Sequence, residues 1–168
     1  MSDISQKLYD TAFKFEEANG GCCQCVLGSV KENLGNISDD LFQAATAMAG
    51  GVAASGNACG ACTGAILALG AFRGRDWENF ATTEGNDVKN EMTMVARKIL
   101  ERFENEFGSF RCAEIQEKIL GKSYKMYVPE EKAAFLDAGG HGPEGCTRVV
   151  ALAAKWVGEI LEEEGLIK

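Results

Sequence analysis

Three of this chain's seven cysteines fall within four positions, as Cys22-Cys23-Gln24-Cys25 directly after the pair Gly20-Gly21. Two more are Cys59 and Cys62, and the last two, Cys112 and Cys146, stand alone. Thiolates are nucleophiles, redox groups and soft metal ligands. Cys22 and Cys25 are related as i and i+3, as are Cys59 and Cys62. In a helix that spacing places both sulfurs of a pair on one face, where one metal centre could take both. Cys23 lies roughly 100° round the helix from Cys22, so it either reaches the same site or packs as a small apolar residue.

Turn-forming residues precede each cysteine group: Asn19-Gly20-Gly21 before Cys22, Ser55-Gly56-Asn57 before Cys59, Gly108-Ser109 before Cys112, and the run from Gly139 to Gly145 before Cys146. After each group an apolar period of 3.6 residues sets in, and no segment alternates with β-branched residues as a sheet requires. The pattern predicts an all-α fold of six to eight helices in a single domain over residues 1–168. Helices are expected over 2–18, 22–33, from Ser38 to Gly50-Gly51, over 59–72, 88–107, 112–120, 129–137 and 144–164, with 73–87 as a loop. All four cysteine groups then sit at helix N-termini. Unpaired N–H groups and the positive end of the dipole favour a thiolate there, so the thiol pKa should fall.

An anionic cofactor gains from the same polarity. An iron-sulfur cluster held by four thiolates is negatively charged, and N–H groups aimed at its sulfurs tune its potential. Cys22, Cys59, Cys112 and Cys146 are the foremost candidate ligands, with Cys25 and Cys62 next and Cys23 last. Four thiolates suffice for a 4Fe-4S or a 2Fe-2S centre, and six or seven could hold a larger or second one. The ferredoxin run C-x-x-C-x-x-C is missing, so the reading rests on the composite arrangement. For Cys112 or Cys146 taken alone, core packing is the simpler account. Gly60, Ala61, Gly64, Ala65 and Ala68 also make a thin helix surface suited to a close helix contact.

Composition narrows the field. A net charge of -8 and an isoelectric point near 4.8 argue against nucleic acid and anionic membrane surfaces, which require clustered Lys and Arg. The least charged stretch, 44–72, is interrupted by Gly50-Gly51 and Ser55-Gly56-Asn57, so no membrane span is expected. The first twenty residues lack an apolar run of the signal-peptide type, which points to the cytoplasm. In that reducing setting short cysteine spacings are read as metal or redox groups before disulfides. His141, the single histidine, lies close to Cys146 and is either a ligand or proton relay or, more commonly for such a loop, an exposed residue. A catalytic triad and a phosphate-binding P-loop find no matching motif. Trp77 and Trp156 are expected in the core or an interface.

The order Cys22, Cys59-Gly60-Ala61-x-x-Gly64, Cys112, Cys146 resembles the C-GCAxxG-C-C family of redox-active proteins. Cys22-Cys23-Gln24-Cys25-Val26-Leu27 is similar to that family's Cys-x-Gln-x-Val-Leu, and the glycine-alanine helix after Cys59 and the long helix before Cys112 match as well. The resemblance implies a small helical redox protein of anaerobes whose motif cysteines are Cys22, Cys59, Cys112 and Cys146. A related module resembles the C-terminal part of split-Soret cytochrome c, which implies a homodimer with an iron-sulfur centre. The haem motif C-x-x-C-H is absent, so covalent haem is not expected. Cys23, Cys25 and Cys62 are additions to the motif and favour cluster binding over a simple dithiol.

The expected function is therefore redox chemistry at a cysteine-ligated cluster, either electron transfer with a redox protein partner or reaction of a small molecule. A metal-free thiol-disulfide oxidoreductase using Cys59-Cys62 or Cys22-Cys25 is the competing reading. A zinc-stabilised or metal-storage module is the third, although paired C-x-x-C zinc sites generally sit on tight turns in domains too small to fold alone.

Overall fold

The computed structural model describes residues 3–167, and its regular secondary structure there is all-α apart from one isolated β-bridge. Eight α-helices follow one another: α1 (Asp3–Asn19), α2 (Cys22–Leu34), α3 (Asp39–Ala44), α4 (Gly60–Arg73), α5 (Thr83–Phe107), α6 (Cys112–Leu120), α7 (Pro129–Asp137) and α8 (Cys146–Glu163). Most lie within a residue or two of their expected bounds.

Two helices differ, each for a local hydrogen-bonding reason. The third helix starts as expected, with Ser38 Oγ accepting from the Leu41 N–H at 3.2 Å. It ends at Ala44, well short of Gly50, and passes into a 3-10 turn, Thr46–Met48. Gln24 Nε2 donates to Phe42 O at 3.0 Å and Thr46 Oγ1 donates to Gln43 O at 2.7 Å, so side chains occupy carbonyls at the helix end. The fifth helix begins at Thr83 instead of Val88, because Thr82 caps it through an N–H bond from Gly85 at 3.0 Å and Glu84 suits the positive first turn.

Helix α8 is the centre of the packing, in contact with α1, α2, α4 and α5. Its residues Val149, Val150, Ala153, Val157, Ile160 and Leu161 are buried. Against it α1 lays the stripe Ser5, Leu8, Ala12 and Glu16, at spacings of three and four. On the far side Phe103 of α5 meets Trp156 edge-on at 5.3 Å. Arg102 and Lys98 of α5 reach Glu159, Glu163 and Glu164 across the same seam. Trp156 is thus in the core as expected, whereas Trp77 is 82% exposed, stacked on Phe80. No described helix is long and apolar enough to cross a membrane.

The seam between α2 and α4 is thin because of Gly64. A Cβ there would stand 2.7 Å from the Cys23 carbonyl oxygen, so a larger residue would push the two helices apart. The starts of α4 and α6 are joined by the isolated antiparallel bridge between Ala58 and Arg111. Cys59 N donates to Phe110 O at 2.8 Å, and Cys112 N donates to Asn57 O at 2.7 Å. Two cysteines far apart in sequence are thereby fixed by backbone bonds on adjacent segments.

Candidate functional site

Four helix starts converge on one cavity. Cys22 is the first residue of α2, Cys59 the N-cap of α4, Cys112 the first residue of α6 and Cys146 the first of α8. All four border a cavity of about 270 Å³, together with Glu16, Gln116, Met126, Lys132, Phe135 and His141. Gly60 lets the start of α4 lie close against the start of α2, since a Cβ at that position would overlap the Cys22 sulfur. The loop before α8 is folded back by Cys146 N donating to Gly140 O at 2.7 Å and by Thr147 Oγ1 donating to His141 O at 2.9 Å.

A left-handed turn forms part of the wall. Gly50, Gly51, Val52, Ala53 and Ala54 all have positive φ, with Val52 at 65°, Ala53 at 50° and Ala54 at 59°. Left-handed helical backbone costs roughly 1–2 kcal/mol for each residue with a side chain, and a β-branched residue there is exceptional. Val52 N donates to Met48 O at 3.2 Å and Ala54 N to Ala49 O at 3.0 Å, which holds the turn closed. The result is that Gly50 presents its N–H to the Cys22 sulfur while Ala49, Gly50 and Ala54 line the cavity. Strain of this kind gathers at functional sites, and no helical or strand period announces it.

The electrostatics reverse one expectation. Burial raises the thiol pKa at every one of the four, outweighing the helix N-termini. Cys22 is pushed well above the ordinary thiol value by burial and then by Cys59 and Glu16, with the Gly50 N–H opposing. Cys59 is raised by burial and by Cys112. The N–H groups of Cys62 and Ala61 favour its thiolate without meeting the geometry of a capping bond. Cys112 is pushed to about 12 by burial and Cys22, against the Gln116 amide, whose Nε2 lies 3.6 Å from the sulfur. At Cys146 burial comes first, followed by Cys59, Cys112 and Cys22. Each of the four feels at least one of the others as a like charge, so they titrate as neighbours.

The other three cysteines do not border this cavity. Cys25 Sγ donates to Gly20 O at 3.2 Å and faces a separate cleft with Phe15, Gln24 and Phe42. Cys23 is fully buried beside the Thr63 hydroxyl, with its thiol raised to about 11 by burial. Cys62 is buried in the core and raised to about 12 by burial alone. The i, i+3 pairs are therefore split, one member on the cavity and one behind it. Among the described residues no three His, Cys, Asp or Glu side chains have the spacing to hold a single metal ion. The motif sulfurs border a volume instead of closing on a point.

Glu16 and His141 complete the polar wall. Glu16 is 2% exposed, and its pKa is raised from 4.5 to about 7 by burial, with Cys25 beside it acting in the opposite sense. Its Oε2 is buried without a hydrogen-bond partner. His141 Nε2 stands 3.6 Å from Glu16 Oε1, but burial and the Lys132 charge lower the histidine pKa, so at neutral pH the two do not form an ion pair. The imidazole packs edge-on against Phe135 at 5.4 Å, partly buried where an exposed loop residue is the commoner expectation. Glu16 escapes a cysteine-led reading. Its signal is the stripe Ser5, Leu8, Ala12, Glu16, in which a carboxylate takes a core position.

Four cysteine positions far apart in an all-α chain thus open on one cavity. Residues 21–160 match the family model described as "Putative redox-active protein (C_GCAxxG_C_C)", and the chain belongs to that family. No curated protein and no solved structure matches it.

Proposed function

We propose that this protein binds an iron-sulfur cluster through Cys22, Cys59, Cys112 and Cys146 and uses it in electron transfer with a redox protein partner. The observation that carries the reading is that four cysteines from four helix starts line one cavity. The donor set fits the group. Four sulfurs is the ligand number of a 4Fe-4S or 2Fe-2S centre, and sulfurs spread round a volume suit a guest with several irons better than one zinc ion. A cationic core would also resolve the electrostatics, since coordination removes the thiol protons that burial otherwise retains. When bound, such a cluster supplies reversible one-electron storage.

The residues present have definite tasks around it. The four cysteines hold the cofactor, and the N–H groups of Gly50, Ala61 and Cys62 lie toward the Cys22 and Cys59 sulfurs, where they tune potential. Ile115, Met126, Phe135 and Val150 limit water access. We assign Cys23 and Cys62 to the core, and Cys25 to the layer behind Glu16.

The metal-free dithiol reading is less well supported. It needs a facing pair and a lowered thiol pKa, whereas Cys22-Cys25 and Cys59-Cys62 are each split across the cavity wall and all are raised. Anaerobic purification tests the choice. Brown protein with bound iron and acid-labile sulfide is expected. Colourless protein free of metal, with a redox-active disulfide, would reject the cluster in favour of the dithiol, and stoichiometric zinc would reject it in favour of the third reading.

A further inference from the structure

A carboxyl group in the last turn of α1 is opposed twice, by burial and by the negative end of the helix dipole. Glu16 nevertheless occupies that position, 2% exposed and on the wall of the thiol cavity. An ionised carboxylate offers about four lone-pair sites. Here the carboxyl's side-chain hydrogen bond is to the weakly donating Cys25 thiol, Oε1 stands 3.6 Å from His141 Nε2, too far for a hydrogen bond, and Oε2 has no partner. Lys132 lies on the same wall, yet no Lys or Arg among the described residues pairs with Glu16. Buried polar atoms are otherwise satisfied in native proteins, so an orphaned oxygen in a cavity calls for an explanation.

A structural role does not supply one. Ser5, Leu8 and Ala12 precede Glu16 on the same buried stripe, and an apolar residue would complete it at lower cost. The neighbours point elsewhere, because Glu16 acts electrostatically on Cys22, Cys25 and Cys146. Two of those are motif thiols, reached from a helix that ends before the family-matched region begins at residue 21.

We propose that the Glu16 carboxylate is an oxygen ligand to the metal centre enclosed by Cys22, Cys59, Cys112 and Cys146. This inference rests on the cluster reading and adds a fifth, harder donor to four sulfurs. A mixed sulfur and oxygen set suits iron, which takes thiolates in iron-sulfur clusters and carboxylate in non-haem sites. It also makes one iron different from the rest, which a purely thiolate set does not require.

The test uses the full chain, loaded anaerobically with Mössbauer-active iron and sulfide, as wild type and as Glu16→Gln. The wild type is expected to show one iron subsite distinct from the thiolate-ligated irons. Glu16→Gln, nearly isosteric, is expected to lose that subsite, whether the iron converts to the common type or leaves. A wild-type spectrum with thiolate-ligated subsites alone overturns the proposal without any variant, as does a distinct subsite that survives in Glu16→Gln. Wild-type protein that takes up no iron overturns the cluster reading and this inference together, and the absence of iron tells that failure from the others.

Discussion

Helices α2 and α4 carry cysteines on two sides, and the two sides live in different worlds. At the cavity, Cys22 and Cys59 face Cys112 and Cys146 from other helices, and each has its pKa raised by at least one of the others. In the core less than a turn away, Cys23 packs beside Thr63, and Cys62 responds to burial and to nothing else. The residue type is the same and the helices are the same. Only the direction round the helix differs, and that direction decides whether a thiol borders the shared cavity or packs in the core. Cysteine count is thus a poor guide to how many thiols share the cavity, and position at a helix start is a better one.

The sharpest way to break this comparison is to remove one thiol from each region. Cys59→Ser or Cys112→Ser should lower iron loading by more than about a hundredfold, beyond the 10–100-fold typical of residues that only support a ligand. Cys62→Ala should leave iron per chain unchanged. Iron and sulfide analysis after anaerobic reconstitution reads both. Equal losses from the two regions would erase the distinction.

A second effect belongs to the cavity alone. The Glu16 pKa is raised from 4.5 to about 7 in the folded chain, so the folded state holds this proton over a range where the unfolded chain has released it. The metal-free protein should therefore lose stability as pH rises from 4.5 to 7, by about 3 kcal/mol from this group. His141, with its pKa lowered by burial, works in the opposite sense, costing stability as pH falls below 6.5. Urea titrations of apo wild type and Glu16→Gln across this window should show a flatter or rising profile in the variant. A wild-type profile unchanged by the substitution would mean that Glu16 is solvated.

The contrast between regions was only half legible in the sequence. Helical periods are local, and they placed most helix bounds and put each motif cysteine at a helix start. Turn chemistry such as the Gly20-Gly21 pair marked the same positions. Convergence is not local: the bridge between Ala58 and Arg111 joins segments more than fifty residues apart through backbone bonds that any side chain would permit. The left-handed turn from Gly50 to Ala54 was illegible because Val52, Ala53 and Ala54 adopt a conformation their own preferences oppose. The split of the i, i+3 pairs needed the neighbours of each helix, since spacing gives a shared face but not what that face touches.

Glycine supplies a smaller and more discriminating test. Gly60 and Gly64 lie one turn apart on α4, the first against the Cys22 sulfur and the second against the Cys23 backbone. Alanine at either should cost about 2 kcal/mol through overpacking, measured by urea denaturation of the metal-free chain. Gly60→Ala should also reduce iron loading, because it displaces a motif thiol. Gly64→Ala should spare it. If Gly64→Ala impaired loading as severely as Gly60→Ala, the seam and the cavity would be one mechanical unit.

The smallest effect concerns Cys62 itself. Replacing it by alanine removes one buried sulfur from the core and leaves a small void, so the apo protein should lose about 1 kcal/mol, seen as a lower urea midpoint with an unchanged slope. The informative quantity is the comparison between loaded and metal-free chains. A residue that does not face the cofactor perturbs folding independently of it, so its cost should be the same in both within about 0.5 kcal/mol. A ligand cannot behave in that way, because its removal changes the affinity that stabilises the loaded state. A Cys62→Ala cost that grew markedly on loading would move Cys62 from the core to the cavity and raise the number of sulfur ligands to five.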